Sequence, residues 1–526
     1  MEKTTPTTTS SQNNKRIAKN TLMLYFRMML TMLVSLYTSR VILNTLGVED
    51  YGIYNVVGGV VTMFAFLNSA MSSATQRFLS FEIGKGDFVQ LRKTFNATQI
   101  IHIGIAVIIF ILAETAGLWF LKNYLVIPSE RLEAAIWVYH FSVFSFMVSI
   151  IQVPYNATII AHERMNVYAY VSIIEVLLKL LIVFMLTWIT YDKLKLYGIL
   201  HFSVVIVIAV IYRIYTRKNF EESKFEVVRD KGLYKTLVCY SGWNLFGNIA
   251  SVAKGQGVNI ILNIFYGPVV NAAMGVAMQI QGAVNSFVSN FQMAVNPQII
   301  KSYAAKERDY MTSLIIRSSK FSFYLLFMIT LPVILEINQV LKIWLKVVPE
   351  YTPSFTVLVL IIILITCVSG SLKTAVQATG KIKIYQAVVG TLLIMILPIS
   401  YLFLKNGYQP EVTLYITIVI EILALLFRFF ILKKLFNFPI FPFIKEVIFR
   451  NLIIVVLSIS LPLFIRDLMV ENIFRLFVTV FISLVWNAII ILILGLNKSE
   501  KKFVTTSIRK ILNRESKKCG LDLKEL

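Results

Sequence analysis

Apolar residues recur along this chain in runs long enough to cross a bilayer, about 20 residues each, with short polar or basic connections between them. Ile100 to Phe120 and Phe477 to Leu496 are the plainest examples. The length criterion predicts about 14 spans. They fall near residues 20–41, 51–73, 97–121, 132–158, 165–189, 195–216, 236–263, 268–296, 314–338, 354–378, 384–405, 411–432, 447–466 and 473–496. The second, seventh and eighth are the least hydrophobic. The pattern predicts an all-α polytopic membrane protein.

The pattern also repeats. Ile42-Leu43-Asn44 followed by Gly47 returns as Ile261-Leu262-Asn263 followed by Gly267. Gly58 answers to Gly275, Asn68-Ser69 to Asn285-Ser286, Arg164 to Lys381 and Tyr168 to Tyr385, at one spacing of about 217 residues. Several matches in one register indicate a duplicated module. Each copy holds about six crossings, an even number, so both enter the membrane from the same side. That predicts two pseudo-symmetric lobes around a central cleft, related by an axis along the membrane normal. The expected division is a polar, disordered tail (1–15), an N-lobe (16–217), a linker (218–235), a C-lobe (236–434), two further helices (435–497) and a basic tail (498–526).

Composition changes the picture in two ways. With 57% hydrophobic residues and mean hydropathy +0.73, a soluble fold could not cover its apolar surface. The net charge of +23 is a topology signal. Lys15, Arg16 and Lys19, the connections Arg77–Lys93, Arg213–Lys235, Lys301–Lys320 and Lys433–Lys445, and the C-terminal tail all fall on one side. That side holds roughly 35 basic residues against about 8 on the other, so both termini are expected in the cytoplasm. Attraction to anionic lipid heads is a second role for these charges, and nucleic acid is not implied. The N-terminal tail lacks the apolar core and cleavage site of a secretory signal. Cys239, Cys367 and Cys519 show no paired spacing, which argues against disulfides and metal clusters.

Candidate chemistry lies within the spans. Gln281, Asn285, Ser289, Gln292 and Asn296 share one face of the eighth, and Asn244, Asn248, Ser251, Gly255 and Asn259 one face of the seventh. Unpaired amides are costly in lipid, so these stripes are expected to line a cavity or to bond neighbouring helices. Arg27 and Arg40 on the first span, Lys254 on the seventh and Lys373 on the tenth are candidate anion contacts; the alternative is snorkelling to the interface. Glu175 and Lys179, four apart, are expected to neutralise each other. Glu114, Glu175 and Glu421 are candidates for binding a coupling proton or sodium ion, or for pairing with a cation on another helix. His102, His140 and His201 are expected to be helix-packing residues. No Walker motif or zinc-type cluster is present, and no outer loop exceeds about 20 residues, so neither an enzyme nor a resident cofactor is expected.

The stretch Ser39-Arg40-Val41-Ile42-Leu43-Asn44-Thr45-Leu46-Gly47-Val48-Glu49-Asp50-Tyr51-Gly52 resembles the start of the polysaccharide-type flippases of the multidrug/oligosaccharidyl-lipid/polysaccharide exporter superfamily. Gln76-Arg77-Phe78 and Ala378-Thr379-Gly380-Lys381-Ile382-Lys383-Ile384-Tyr385 support it. Here Arg40 stands farther from Leu46-Gly47 than in the usual pattern. The resemblance implies a Wzx-type flippase of the bacterial inner membrane. Its substrate would be an undecaprenyl-diphosphate-linked oligosaccharide for O-antigen, capsule or exopolysaccharide assembly, with glycan polymerase machinery as a partner.

Without an ATP site, the membrane potential is a candidate driving force. A dianionic head leaving a negative interior gains roughly 4–5 kcal/mol per 100 mV; transport indifferent to an imposed potential would refute this. The main rival is a drug or organic-cation antiporter of the same fold. Such pumps often use an intramembrane aspartate in the first lobe, which this chain lacks. A membrane-embedded polymerase would need a large outer loop. A non-transporting scaffold would act through the basic tails alone.

Overall fold

The computed structural model describes residues 10–62, 65–124, 127–189, 191–345, 348–497 and 500–501. Thirteen long helices carry the architecture. They are α1 (Ser10–Thr62), α2 (Ala65–Lys85), α3 (Phe88–Leu112), α4 (Leu132–Ala161), α5 (Met165–Trp188), α6 (Lys193–Asn219), α7 (Lys231–Ala304), α8 (Arg308–Leu335), α9 (Thr352–Thr379), α10 (Lys383–Lys405), α11 (Val412–Phe436), α12 (Arg450–Leu468) and α13 (Ile473–Ile490). Among the described residues, ten helical segments are long and apolar enough to cross a membrane. They correspond to the third to sixth and ninth to fourteenth predicted spans. The remaining four predicted spans lie in α1, α2 and α7.

Two boundaries differ from the sequence reading. The predicted connection at residues 44–50 lies inside α1, which is 53 residues long, and the second predicted span is divided between α1 and α2. A lone Gly47 costs a helix only about 1 kcal/mol and no proline follows, so nothing local stops propagation. Its counterpart Gly267 behaves otherwise. Its φ of 75° breaks the 74-residue α7 into two pieces. Pro268 follows it, removing a backbone donor, and glycine reaches positive φ without strain. At the N-terminus the helix starts early. Ser10 to Lys15, expected in the disordered tail, already belong to α1, while residues 1–9 lie outside the described residues. Most of the basic tail, including Cys519, is also outside them.

Two compact units emerge. The first joins residues 1–265, 286–315 and 369–438. Its N-terminal helices pack through Leu79, Leu91, Phe95, Tyr155, Ile159, Val183 and Leu186. The second joins 266–285, 316–368 and 439–526. In it, α13 and the residues after it dock on α8 and the turn after it through buried polar contacts. Lys320 Nζ lies 2.7 Å from Glu500 Oε2, and Arg475 Nη2 lies 3.0 Å from Glu336 Oε2. The Thr479 hydroxyl donates to Glu336 and the Tyr324 hydroxyl to the Gly495 carbonyl. Glu500, placed in the tail by the sequence reading, is therefore a buried member of this unit.

Candidate functional site

In the first unit, α7, α9, α10 and α11 bring charge into the apolar layer. Lys254 Nζ donates to Glu421 Oε1 at 2.7 Å, and Arg428 Nη1 stands 3.9 Å from Glu421 Oε2. The side chains are 20%, 6% and 9% exposed for Lys254, Glu421 and Arg428, so the group is shielded from bulk water. Arg428 donates further to the Tyr385 hydroxyl and to Ser369 Oγ, at 3.2 and 3.1 Å. Lys373 is exposed and within electrostatic range of Glu421. Three cations thus face one carboxylate. In a poorly solvated layer the surplus positive charge favours an anionic guest.

The amide stripes divide by role. Asn244 Nδ2 donates to the Ala70 carbonyl of α2 at 2.8 Å and Asn244 Oδ1 accepts from Gln386, so this residue ties helices together. Asn296 Oδ1 accepts from Thr374, and Gln292 lies against Gly370, where a Cβ would stand 2.3 Å from the Gln292 amide. Asn248 bonds back to its own helix, at the Asn244 carbonyl. Asn259 Oδ1 is buried without a hydrogen-bond partner among the described residues. Gln281 and Asn285 belong to the second unit, half-buried and exposed respectively.

A separate cavity of about 440 Å³ lies among α2, α4, α5 and α6. Asn68, Ser69, Ser72, Ser149, Gln152, Asn156 and Glu175 supply its polar lining. Glu175 accepts from Lys179 at 2.6 Å, the expected pairing. Arg27 lies 4.8 Å over the Tyr168 ring, with Nε and Nη1 buried and unpartnered among the described residues. Glu114 sits in a π-helical turn, Ala113–Gly117, and accepts from His140 Nδ1 at 2.9 Å. The Arg40 side chain lies outside the described residues.

The helix ends at the basic side of this unit are tied across the two repeats. Arg77, about two turns before the end of α2, donates to the carbonyls of Gln377 and Ala378 at the end of α9, both at 2.9 Å. Lys301, at the end of α7, donates to Glu163 in the α4–α5 turn at 2.7 Å. Burial holds the Lys301 ammonium below its ordinary pKa, with Glu163 acting against that shift. Arg16 and Asn20 also reach Glu163. Glu163 and Gly380 share the 217-residue register, and both take positive φ, 59° and 75°. The contacts repeat the sequence symmetry.

Arg428, Gln152 and Asn156 escaped the sequence reading. Arg428 stands seven residues after Glu421, two turns along one face, and a search for charges at that spacing would have found it. Gln152 and Asn156 share a four-residue spacing but sit in the strongly apolar fourth span, which masked them.

Long apolar helices with amides and ion pairs in their interior define a multi-pass membrane protein. The fold is that of known transporters. An outward-facing multidrug resistance MATE family transporter of the MOP superfamily superposes with TM-score 0.67 and 12% identity, over 81% of this chain and 97% of that one. A MOP superfamily transporter from Pyrococcus furiosus, described as having a binding pocket of reverse polarity that suggests a different function, matches with TM-score 0.67 and 13% identity, over 80% and 96%. A MATE complex with MaD5 gives 0.64 and 14%, over 82% and 99%. The family model described as polysaccharide biosynthesis protein matches residues 17–302, more than half of the chain, and the protein belongs to that family. Among curated proteins none matches significantly.

Proposed function

We propose that the protein is an exporter of the flippase type. It carries an undecaprenyl-diphosphate-linked oligosaccharide from the cytoplasmic to the periplasmic leaflet of the bacterial inner membrane, by alternating access. The basic helix ends face the cytoplasm in this reading. The observation that carries it is the shielded pair of cations Lys254 and Arg428 on the carboxylate of Glu421, with the exposed Lys373 within electrostatic range of it. A diphosphate head needs a surplus of cations, while its prenyl tail stays in lipid. Glu421 keeps Lys254 and Arg428 in place until the diphosphate competes for them. Family membership supports a role in polysaccharide assembly.

The test is binding and leaflet transfer of an undecaprenyl-diphosphate glycolipid in liposomes. Removing one charge-assisted contact costs about 1.5–3 kcal/mol, or roughly 10- to 100-fold in affinity. Lys254→Gln and Arg428→Gln are each expected to lose that much in the folded fraction. Both also lower the melting temperature, because each takes a counter-charge from the buried Glu421, and Lys254→Gln with Glu421→Gln restores the stability without restoring the affinity. Unchanged transfer in both variants would refute the reading.

A MATE-type ion-coupled antiporter is the second reading, favoured by the fold and by Glu175 beside a polar cavity. Proton- or sodium-driven efflux of organic cations, lost in Glu175→Gln, would establish it.

A further inference from the structure

The cavity among α2, α4, α5 and α6 differs in chemistry from the Lys254–Glu421–Arg428 group. Its volume, about 440 Å³, lies within the range of small-molecule sites, about 300–1,000 Å³. On α4 the lining residues Ser149, Gln152, Val153 and Asn156 fall at intervals of three, one and three, a single helix face turned inward. On α2, Asn68, Ser69 and Ser72 line the cavity. The other face of α2 is occupied: Asn244 binds the Ala70 carbonyl, Gln377 binds Ser73 Oγ, and Arg77 binds the end of α9. Helix packing therefore uses one side of α2 and leaves three polar side chains on the other.

These groups are open to a guest. Asn68 Oδ1 is buried without a partner among the described residues. Gln152 donates to Asn156 Oδ1 at 3.2 Å, the long end of the range. The Ser149 hydroxyl donates to the Ser145 carbonyl and keeps its own lone pairs free to accept. The one ionised liner, Glu175, is matched by Lys179 at 2.6 Å. An apolar chain here would leave amides unpaired at a cost of a few kcal/mol. A bare anion would meet a carboxylate. A neutral polyol satisfies the site, because each hydroxyl donates and accepts, as amides and serines do.

We propose that this cavity is a glycan subsite, which takes the neutral sugar portion of the cargo and sets which glycan is accepted. The identity of the carrier lipid rests on the flippase reading above; the sugar chemistry rests on the cavity.

Two probes separate the two ideas in nanodiscs holding the full chain: undecaprenyl diphosphate without sugar, and lipid-linked oligosaccharide extracted from the membranes of the producing cells. Asn68→Ala and Gln152→Ala should each weaken the glycan-bearing probe about tenfold and leave undecaprenyl diphosphate unchanged. The delipidated oligosaccharide should compete with the glycan-bearing probe on the parent and lose that ability in both variants. Asn68→Ser, which supplies a shorter polar group that also donates and accepts, should recover part of the affinity, and matching melting curves show that the variants fold. Equal weakening of both probes, or of neither, overturns the subsite. If Lys254→Gln leaves both probes unaffected while Asn68→Ala still separates them, the diphosphate reading falls and the glycan subsite stands.

Discussion

Arg131 shows how single charges organise the end of the helices remote from the basic connections. Its guanidinium donates to Asp50 of α1 at 2.8 Å and to Asp192, the N-cap of α6, at 2.9 Å. Burial acts to raise the Asp192 pKa. Hydrogen bonds from the Lys195 amide and from Arg131 outweigh it and hold the carboxyl below its ordinary 3.8. A depressed carboxyl stabilises the fold above the unfolded value and loses that contribution as pH falls through the folded one. The melting temperature in detergent is therefore expected to fall below about pH 4, and Asp192→Asn to flatten that part of the profile. An acid limb of the same steepness in the variant would place the sensitivity elsewhere.

At the scale of elements, the last two helices are held by a few buried polar contacts. Lys320 is fully buried against Glu500, at the start of a segment that reads as solvent-facing tail in the sequence. Removing one partner of such a pair leaves an uncompensated charge, at a cost of about 3–5 kcal/mol, whereas an apolar replacement of both is tolerated. Glu500→Ala should lower the melting temperature and speed protease cleavage within residues 439–501. Lys320→Met with Glu500→Leu should restore both. A single variant as stable as the parent would show that Glu500 does not anchor α8.

Across the whole molecule, the duplicated sequence becomes duplicated contacts. α2 reaches residues 377–378 through Arg77, and α7 reaches the equivalent turn through Lys301 and Glu163. The two helices also meet closely. A Cβ on Gly84 would lie 2.5 Å from the Lys301 Cα, so this glycine is required by approach. Gly84→Leu forces the helix ends apart, an overpacking of about 1–3 kcal/mol. With Cys239→Ser and Cys519→Ser as background, thiol labelling of a Ser302→Cys reporter, buried in the parent, should accelerate about tenfold or more in Gly84→Leu. Labelling at the parent rate would mean that the ends separate independently of this contact.

The spans, the repeat and the intramembrane charges were legible in the chain because they depend on local quantities: apolar length, helical periodicity and residue type. Lys254 and Glu421 each stood out as ions in apolar runs, yet 167 residues separate them, and only packing shows that they meet. The amide stripes were legible as stripes. Which amide ties helices, as Asn244 does, and which is left open, as Asn68 is, depends on neighbours from distant segments. The break at Gly267 and its absence at Gly47 are local at the level of backbone, since a proline follows the first glycine and none follows the second. Sequence alone determined that this chain enters a membrane as a duplicated helical protein carrying buried charge. Tertiary structure decided which charges neutralise each other, which amides remain open and where the cavity lies, because those outcomes arise from contacts between segments far apart in the chain.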